Sequence, residues 1–218
     1  MRMFQYIQRI FLPHPFHDII ECLAAALEAK DLYTSGHSSR VGDMSYELGR
    51  QMGLKGSALE TIHIAAHLHD IGKMGISEAI LNKQGRLLPH EFAQIQTHPE
   101  VGYKILAKSK GLQKIAKIVL HHHERWDGGG YPGGLREDKI PLGSRIIAVA
   151  DSVDAITSIR PYRRALSWEE CWEEILINKG IQFDPVAVEA AEKLWKRWKA
   201  RGQEADKDSD KVKLKAMW

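Results

Sequence analysis

Apolar residues recur along this chain at spacings of three and four, and period-two alternation is sustained nowhere, so the pattern predicts an all-α fold. Ile19, Ile20, Leu23, Ala26 and Leu27 mark a helix over 18–30. Val41, Met44, Leu48 and Met52 mark a second, with Ser35 or Ser38 as its N-cap and Gly53 as its stop. Ser57, with Glu60 three residues on, reads as a capping box for a third, which runs through Ile62, Ala65, Ala66 and Leu68 into His69 and Asp70 and halts at Gly72. A loop over 73–88 follows, then helices over 89–96, 99–107 and 112–124. The stretch 127–141 is crowded with glycine and proline and reads as an irregular loop. Helices resume over 142–158, 167–178 and 185–199.

These elements divide the chain into an N-terminal extension or linker stub (1–17), one helical domain (18–199) and a polar tail (200–218) expected to be disordered. Hydrophobic residues at 44% and charged residues at 27% suit a globular domain. A net charge of +3 is too weak for a DNA or RNA binder. No run is long and apolar enough to span a bilayer, and the start, broken by Gln5, Gln8, Arg9, Pro13 and Pro15, does not read as a signal peptide. The two cysteines, Cys22 and Cys171, belong to no CxxC pair and read as buried thiols of a reducing, cytoplasmic protein.

The 11 histidines change this picture. His69-Asp70 ends a helix, where a carboxylate can bridge two cations beside an imidazole, although any such pair can also be a cap. HHHE at 121–124 sets consecutive imidazoles before the glycine-rich loop. Asp151 sits in the apolar run RIIAVADSVDA, and a buried carboxylate there needs a cation or a salt bridge to Arg145 or Arg160.

The ordered blocks GHSSRV (36–41), HLHDIGK (67–73), THPEVG (97–102), HHERWDGGGYPGGL (122–135), VADSVDAIT (149–157), RPYRRAL (160–166) and FDP (183–185) resemble the HD-GYP phosphodiesterases, over about 18–199. The resemblance implies an HD-superfamily helical bundle with an irregular GYP loop, and hydrolysis of a cyclic dinucleotide, foremost cyclic di-GMP, to the linear dinucleotide or GMP. Alternatives are cyclic GMP-AMP, or a non-catalytic module that senses the nucleotide or docks a cyclase. The family's metal ligands carry over onto His37, His69, Asp70, His98, His122, His123 and Asp151. This N/O set suits two divalent ions, iron or manganese, with magnesium, nickel or zinc as substitutes. Where some members carry a further glutamate for a third ion this chain has Tyr33, so two are expected.

Lys73, with Asp70, is assigned to catalysis, the lysine at the phosphate. Arg160 and Arg163 are assigned to a phosphate or guanine, Asp154 (and less directly Asp31) to a guanine edge, and Tyr131 to substrate contact. The GYP loop is also where the family meets diguanylate cyclase domains, and a homodimer is compatible with the sequence. His63 and His67 share a helix face but fall off the family's ligand positions. They read as packing or surface residues, as do His14, His17 and His90, while His121 reads as lying behind the ligands or facing solvent.

Overall fold

In a computed structural model, residues 14–31, 36–158 and 165–216 are described, those at 14–16 and beyond 204 by their backbone alone. They form α1 (His14–Glu28), α2 (His37–Gln51), α3 (Gly56–His67), α4 (Glu78–Leu81), α5 (Pro89–Ile95), α6 (His98–Leu106), α7 (Gln113–Leu120), α8 (Leu142–Thr157), α9 (Trp168–Ile177) and α10 (Pro185–Ala216). Short 3-10 turns lie at Ile71–Gly75, Lys110–Leu112 and Glu137–Lys139. Among the described residues there is no strand, and no helix is long and apolar enough to cross a membrane. The all-α expectation holds.

The bundle is centred on α2, α3 and α8, with α7 and α10 closing its flanks. Val41, Leu48, Ala65, Val119, Ile146, Ile147, Ala150 and Val153 are fully shielded in one cluster. α1 is turned slightly from its expected register. Ile20, Ala24 and Leu27 are buried, whereas Ile19 and Leu23 are exposed. Cys171 lies in the core, but Cys22 is exposed, against the expectation of two buried thiols.

Ser38 and Ser57 do not cap their helices as predicted. The backbone N–H groups of Gly36 and Ser38 donate to the Glu28 carboxylate at 2.7 and 2.9 Å, so α2 is capped from α1 and not by Ser38. Gly36 takes the left-handed conformation there, at φ 69°. Ser57 lies inside the first turn of α3 and makes no cap hydrogen bond. A capping box does form at α9, where Ser167 and Glu170 bond each other's backbone N–H.

Both ends of the chain depart from the expected division. α1 begins at His14, and His17 is buried, so the boundary drawn at residue 17 falls inside a helix. The stretch expected to be a disordered tail is helical as far as Ala216. Its sequence carries Lys207, Lys211, Lys213 and Lys215 with Ala205 and Ala216, good helix formers, and lacks proline. Trp198, 1% exposed, fastens this helix to α2 by donating its indole N–H to Glu47 at 2.6 Å.

Gly72 places α6. A Cβ there would stand 1.8 Å from the His98 carbonyl oxygen and 2.6 Å from the Gly102 nitrogen, so only glycine lets the Ile71–Gly75 turn meet α6 backbone to backbone. Gly72→Ala is expected to destabilise the protein by about 1–3 kcal/mol or more. Urea denaturation checks this, and a stability equal to wild type would contradict the close approach.

Candidate metal centre

Three histidines of the site stand where a helix ends, and each is fixed in the same way. His69 follows α3, His98 follows α5, and His122 follows α7. Their Nδ1 atoms lie 2.7, 2.7 and 2.6 Å from the carbonyl oxygens of Ala66, Ile95 and Val119, in each case three residues earlier. A carbonyl only accepts, so Nδ1 must carry the proton and Nε2 presents its lone pair inward. The same contacts explain why α3 and α7 stop short of 70 and 124, where the sequence pattern had run them on. The imidazole takes up a carbonyl of the last turn, and the chain leaves the helix.

His37, at the first turn of α2, is anchored differently. Its Nδ1 lies 2.7 Å from Asp154 Oδ2. Asp154 also accepts from Arg40, at 2.5 Å from Nε and 3.1 Å from Nη2. It is 4% exposed, and both oxygens are engaged. The expectation that Asp154 reads a guanine edge is therefore corrected: it orients His37. Arg40, which sequence reasoning missed, holds Asp154 in turn, and together with His37 it keeps that carboxyl down at about 2 against burial.

The inward-facing donor atoms form two groups, nitrogens of His37 and His69 with an oxygen of Asp70, and nitrogens of His98, His122 and His123. Asp70 lies between them. Its Oδ2 is 3.4 Å from His69 Nε2 and 3.8 Å from His37 Nε2, while its Oδ1 is 3.4 Å from His98 Nε2. Asp151, from α8, sits 3.4 Å from His37 Nε2 and 4.0 Å from His69 Nε2. Arg145 is not its partner but binds Asp184 at 2.7 Å and Asp138 at 2.9 Å. His37 and His69 approach at 3.3 Å and His98 and His122 at 3.2 Å, Nε2 to Nε2. With the Nδ1 protons fixed, His98 and His122 face lone pair to lone pair, an arrangement that a cation relieves.

The charges agree. Burial raises the Asp70 carboxyl, but Lys73 and His69 outweigh it and hold it well below the usual range. Asp151 is lowered despite burial by His69, His37 and His123. Burial and neighbouring imidazoles press His122 well below its ordinary value and His123 down to about 3. His69 alone goes up, to about 9, because Asp70 and Asp151 overcome its burial. A proton there neutralises the carboxylates as a cation would. Anionic carboxylates among imidazoles, with His122 and His123 held neutral, are a donor set that fits divalent cations.

Lys73, assigned from sequence to the phosphate, reaches Asp70 Oδ2 at 2.8 Å and Asp31 Oδ2 at 3.2 Å. Asp31 is thus a partner of Lys73. Tyr131 stacks on His123, centroids 5.0 Å apart. Burial, then the charges of Asp70 and Asp151, push its phenol up, so it stays a protonated donor. Arg160, Arg163 and Tyr33 lie outside the described residues.

Sequence reasoning also missed Glu124. Its buried carboxylate accepts from the N–H groups of Gly133 at 2.7 Å and Leu135 at 3.0 Å and meets His121 Nδ1 at 3.3 Å. It thereby folds the glycine-rich loop back over the site. The FDP block proves structural: Asp184 accepts from Val186 N at 2.8 Å at the start of α10 and pairs with Arg145.

Asp154→Ala removes the anchor of His37 and leaves Arg40 facing a cavity. The expected result is a 10–100-fold loss of affinity for a divalent cation with the helical content kept. Calorimetric titration with manganese measures it, and wild-type affinity would return Asp154 to the substrate side.

Helices that aim imidazoles and carboxylates at one buried point make a helical domain built around side-chain groups that could hold divalent metal. The family described as "HD domain" matches residues 21–186. The chain belongs to the HD-domain family and, within it, to the HD-GYP group. It is 44% identical to a cyclic di-GMP phosphodiesterase of Thermotoga maritima over 82% of this chain and 49% of that one. It is 40% identical to the cyclic di-GMP phosphodiesterase response regulator RpfG of Xanthomonas campestris, over 77% and 45%. To a 3'3'-cGAMP-specific phosphodiesterase of Vibrio cholerae it is 40% identical, over 82% and 34%. The chain thus spans about half the length of these relatives or less. Its fold is shared with a cyclic GMP-AMP-specific phosphodiesterase structure from V. cholerae (TM-score 0.62, 22% identity, 80% of this chain and 48% of that one). It is shared as well with an HD-GYP protein of Bdellovibrio bacteriovorus (TM-score 0.61, 20% identity, 73% and 51%).

Proposed function

We propose that this chain is a metal-dependent phosphodiesterase that hydrolyses a cyclic dinucleotide, cyclic di-GMP before cyclic GMP-AMP. The observation that supports this best is Asp70, a buried carboxylate with one oxygen toward each of two histidine groups. His37, His69 and Asp151 would hold one ion, His98, His122 and His123 the other, and Asp70 both. Iron or manganese suits these donors. When bound, two such ions would supply Lewis acidity to the phosphoryl oxygens and lower the pKa of the attacking water.

The chain's own residues have separate tasks. The Nδ1 anchors hold the imidazoles in one tautomer and orientation. Lys73, now paired with Asp70 and Asp31, supplies positive charge for the anionic diester and for the leaving oxygen. Tyr131 offers an aromatic face and a phenol that stays protonated. Arg160 and Arg163 are assigned the second phosphate or a guanine on their sequence positions. With Tyr33 in place of a carboxylate, the centre would hold two ions and would release mainly linear dinucleotide.

The names of the relatives divide between cyclic di-GMP and cyclic GMP-AMP, which makes the second nucleotide the reading to test alongside the first. The protein, loaded anaerobically with manganese or ferrous iron, is given each nucleotide in turn, and products are separated by chromatography. Faster conversion of cyclic di-GMP to linear pGpG is expected. Hydrolysis of neither nucleotide by the fully loaded protein would overturn the enzymatic reading.

A further inference from the structure

The turn that carries Lys73 is gripped from α1, a helix that offers none of the proposed metal ligands. Ile71–Gly75 is a 3-10 turn of five residues between Asp70 and Ile76. Such runs seldom exceed about three or four residues, because their hydrogen-bond geometry is poor, so this one needs support from outside. Its backbone bonds include Lys73 N–H to the Asp70 carbonyl at 2.8 Å and Ile76 N–H to the Lys73 carbonyl at 3.0 Å. The approach of Gly72 to α6 secures the first half of the turn.

The second half is secured by the residues that close α1. The N–H groups of Lys30 and Asp31 both donate to the Leu27 carbonyl, at 3.0 and 3.3 Å, so the two residues are continuous with the helix. Half-buried Lys30 donates from Nζ to the Met74 carbonyl at 2.9 Å and to the Ile76 carbonyl at 2.6 Å. These are the carbonyls at the end of the turn, where a helical segment runs out of backbone partners. Asn82, just after α4, donates its side-chain N–H to the Lys30 carbonyl at 3.1 Å. The next residue, Asp31, accepts from Lys73 Nζ at 3.2 Å. One side chain thus holds the backbone beyond Lys73, and its neighbour holds the Lys73 ammonium.

We propose that Lys30 is a positioning residue for the hydrolysis: by pinning the end of the Ile71–Gly75 turn it sets where Lys73 Nζ stands relative to the phosphoryl group. The inference rests on the phosphodiesterase reading given above. Lys30 does not itself serve the phosphate, because its ammonium is directed at two carbonyls. Placement matters steeply here, since a shift of about 1 Å in a group that acts on the reacting atoms can cost on the order of 100-fold in rate. The competing account makes Lys30 an ordinary cation at the C-terminus of α1, worth a little stability and nothing to catalysis.

The test compares the full chain, loaded with manganese, with Lys30→Met, Lys30→Arg, Lys73→Ala and the first and last of these combined. Lys30→Met is expected to lower kcat by about 10–100-fold while KM and bound manganese stay at the wild-type values. Lys30→Arg should recover most of the loss, because a guanidinium fork can serve both carbonyls. Added to Lys73→Ala, Lys30→Met should cost no more than about a further twofold, since the group that it positions is gone. Amide exchange in the metal-free protein should quicken at Lys73 and Ile76 in Lys30→Met and stay unchanged at Val119 in the core. If Lys30→Met fails to fold, Lys30→Gln, polar and nearly as long, takes its place. Wild-type kcat in the folded variant, a loss of manganese in proportion to kcat, or the full loss repeated in the Lys73→Ala background overturns the proposal. Absence of turnover in the loaded wild type would overturn the phosphodiesterase reading and this role with it, whereas wild-type turnover beside an unchanged Lys30→Met overturns this role alone.

Discussion

Asp70→Asn is expected to lower turnover of a cyclic dinucleotide by at least about a thousandfold, ~4 kcal/mol of transition-state stabilisation. The amide keeps the shape of the carboxylate but loses its charge, and one of its two positions becomes a donor that cannot bind a cation. Asp70 is the residue with an oxygen facing each histidine group, so both halves of the centre lose a ligand together. Bound manganese should fall with activity while the far-ultraviolet circular dichroism stays that of the wild type. A variant that retained both metal and turnover would remove Asp70 from the centre. An inactive variant with full metal would make it a group acting on substrate instead.

Lys73→Ala should separate in the opposite sense. Loss of a charge aimed at the phosphoryl group costs about 10²–10³ in kcat, whereas metal content should be kept or rise. The rise has a plain cause: Lys73 now satisfies Asp70 Oδ2 at 2.8 Å, and its removal leaves that oxygen and Asp31 short of positive charge. Manganese content and kcat measured on the same preparation decide the matter. Loss of metal in proportion to activity would make Lys73 a support of the centre and not a contact of the phosphate.

The residues gathered at the centre were legible because the motif blocks name them one by one, and the fold brings His37, His69, Asp70, His98, His122, His123 and Asp151 together. Their fixing was not legible. Asp154 lies one turn after Asp151, which suggested the cleft, yet its partner His37 is 117 positions away, a pairing that no local pattern carries. Arg40, three residues after His37, was the available signal, since a buried carboxylate beside both is a natural hydrogen-bond partner. Glu124 closes HHHE and reads as one more acidic neighbour until the loop it caps is seen to return to it. Helix ends went wrong where side chains compete for backbone carbonyls, at Ala66 and Val119, a competition that hydrophobic periodicity does not register. The boundary expected at residue 17 misses the start of α1, which begins at His14 and carries Pro15 in its first turn, where its missing N–H costs nothing.

Two cations sharing one carboxylate are the core of the proposed centre, and a crystal structure of the manganese-loaded protein tests them most directly. Anomalous scattering should place two ions in the centre, one among His37, His69 and Asp151 and the other among His98, His122 and His123, with Asp70 touching both. A single ion, an Asp70 that touches neither, or a third fully occupied ion beside Tyr33 would contradict it.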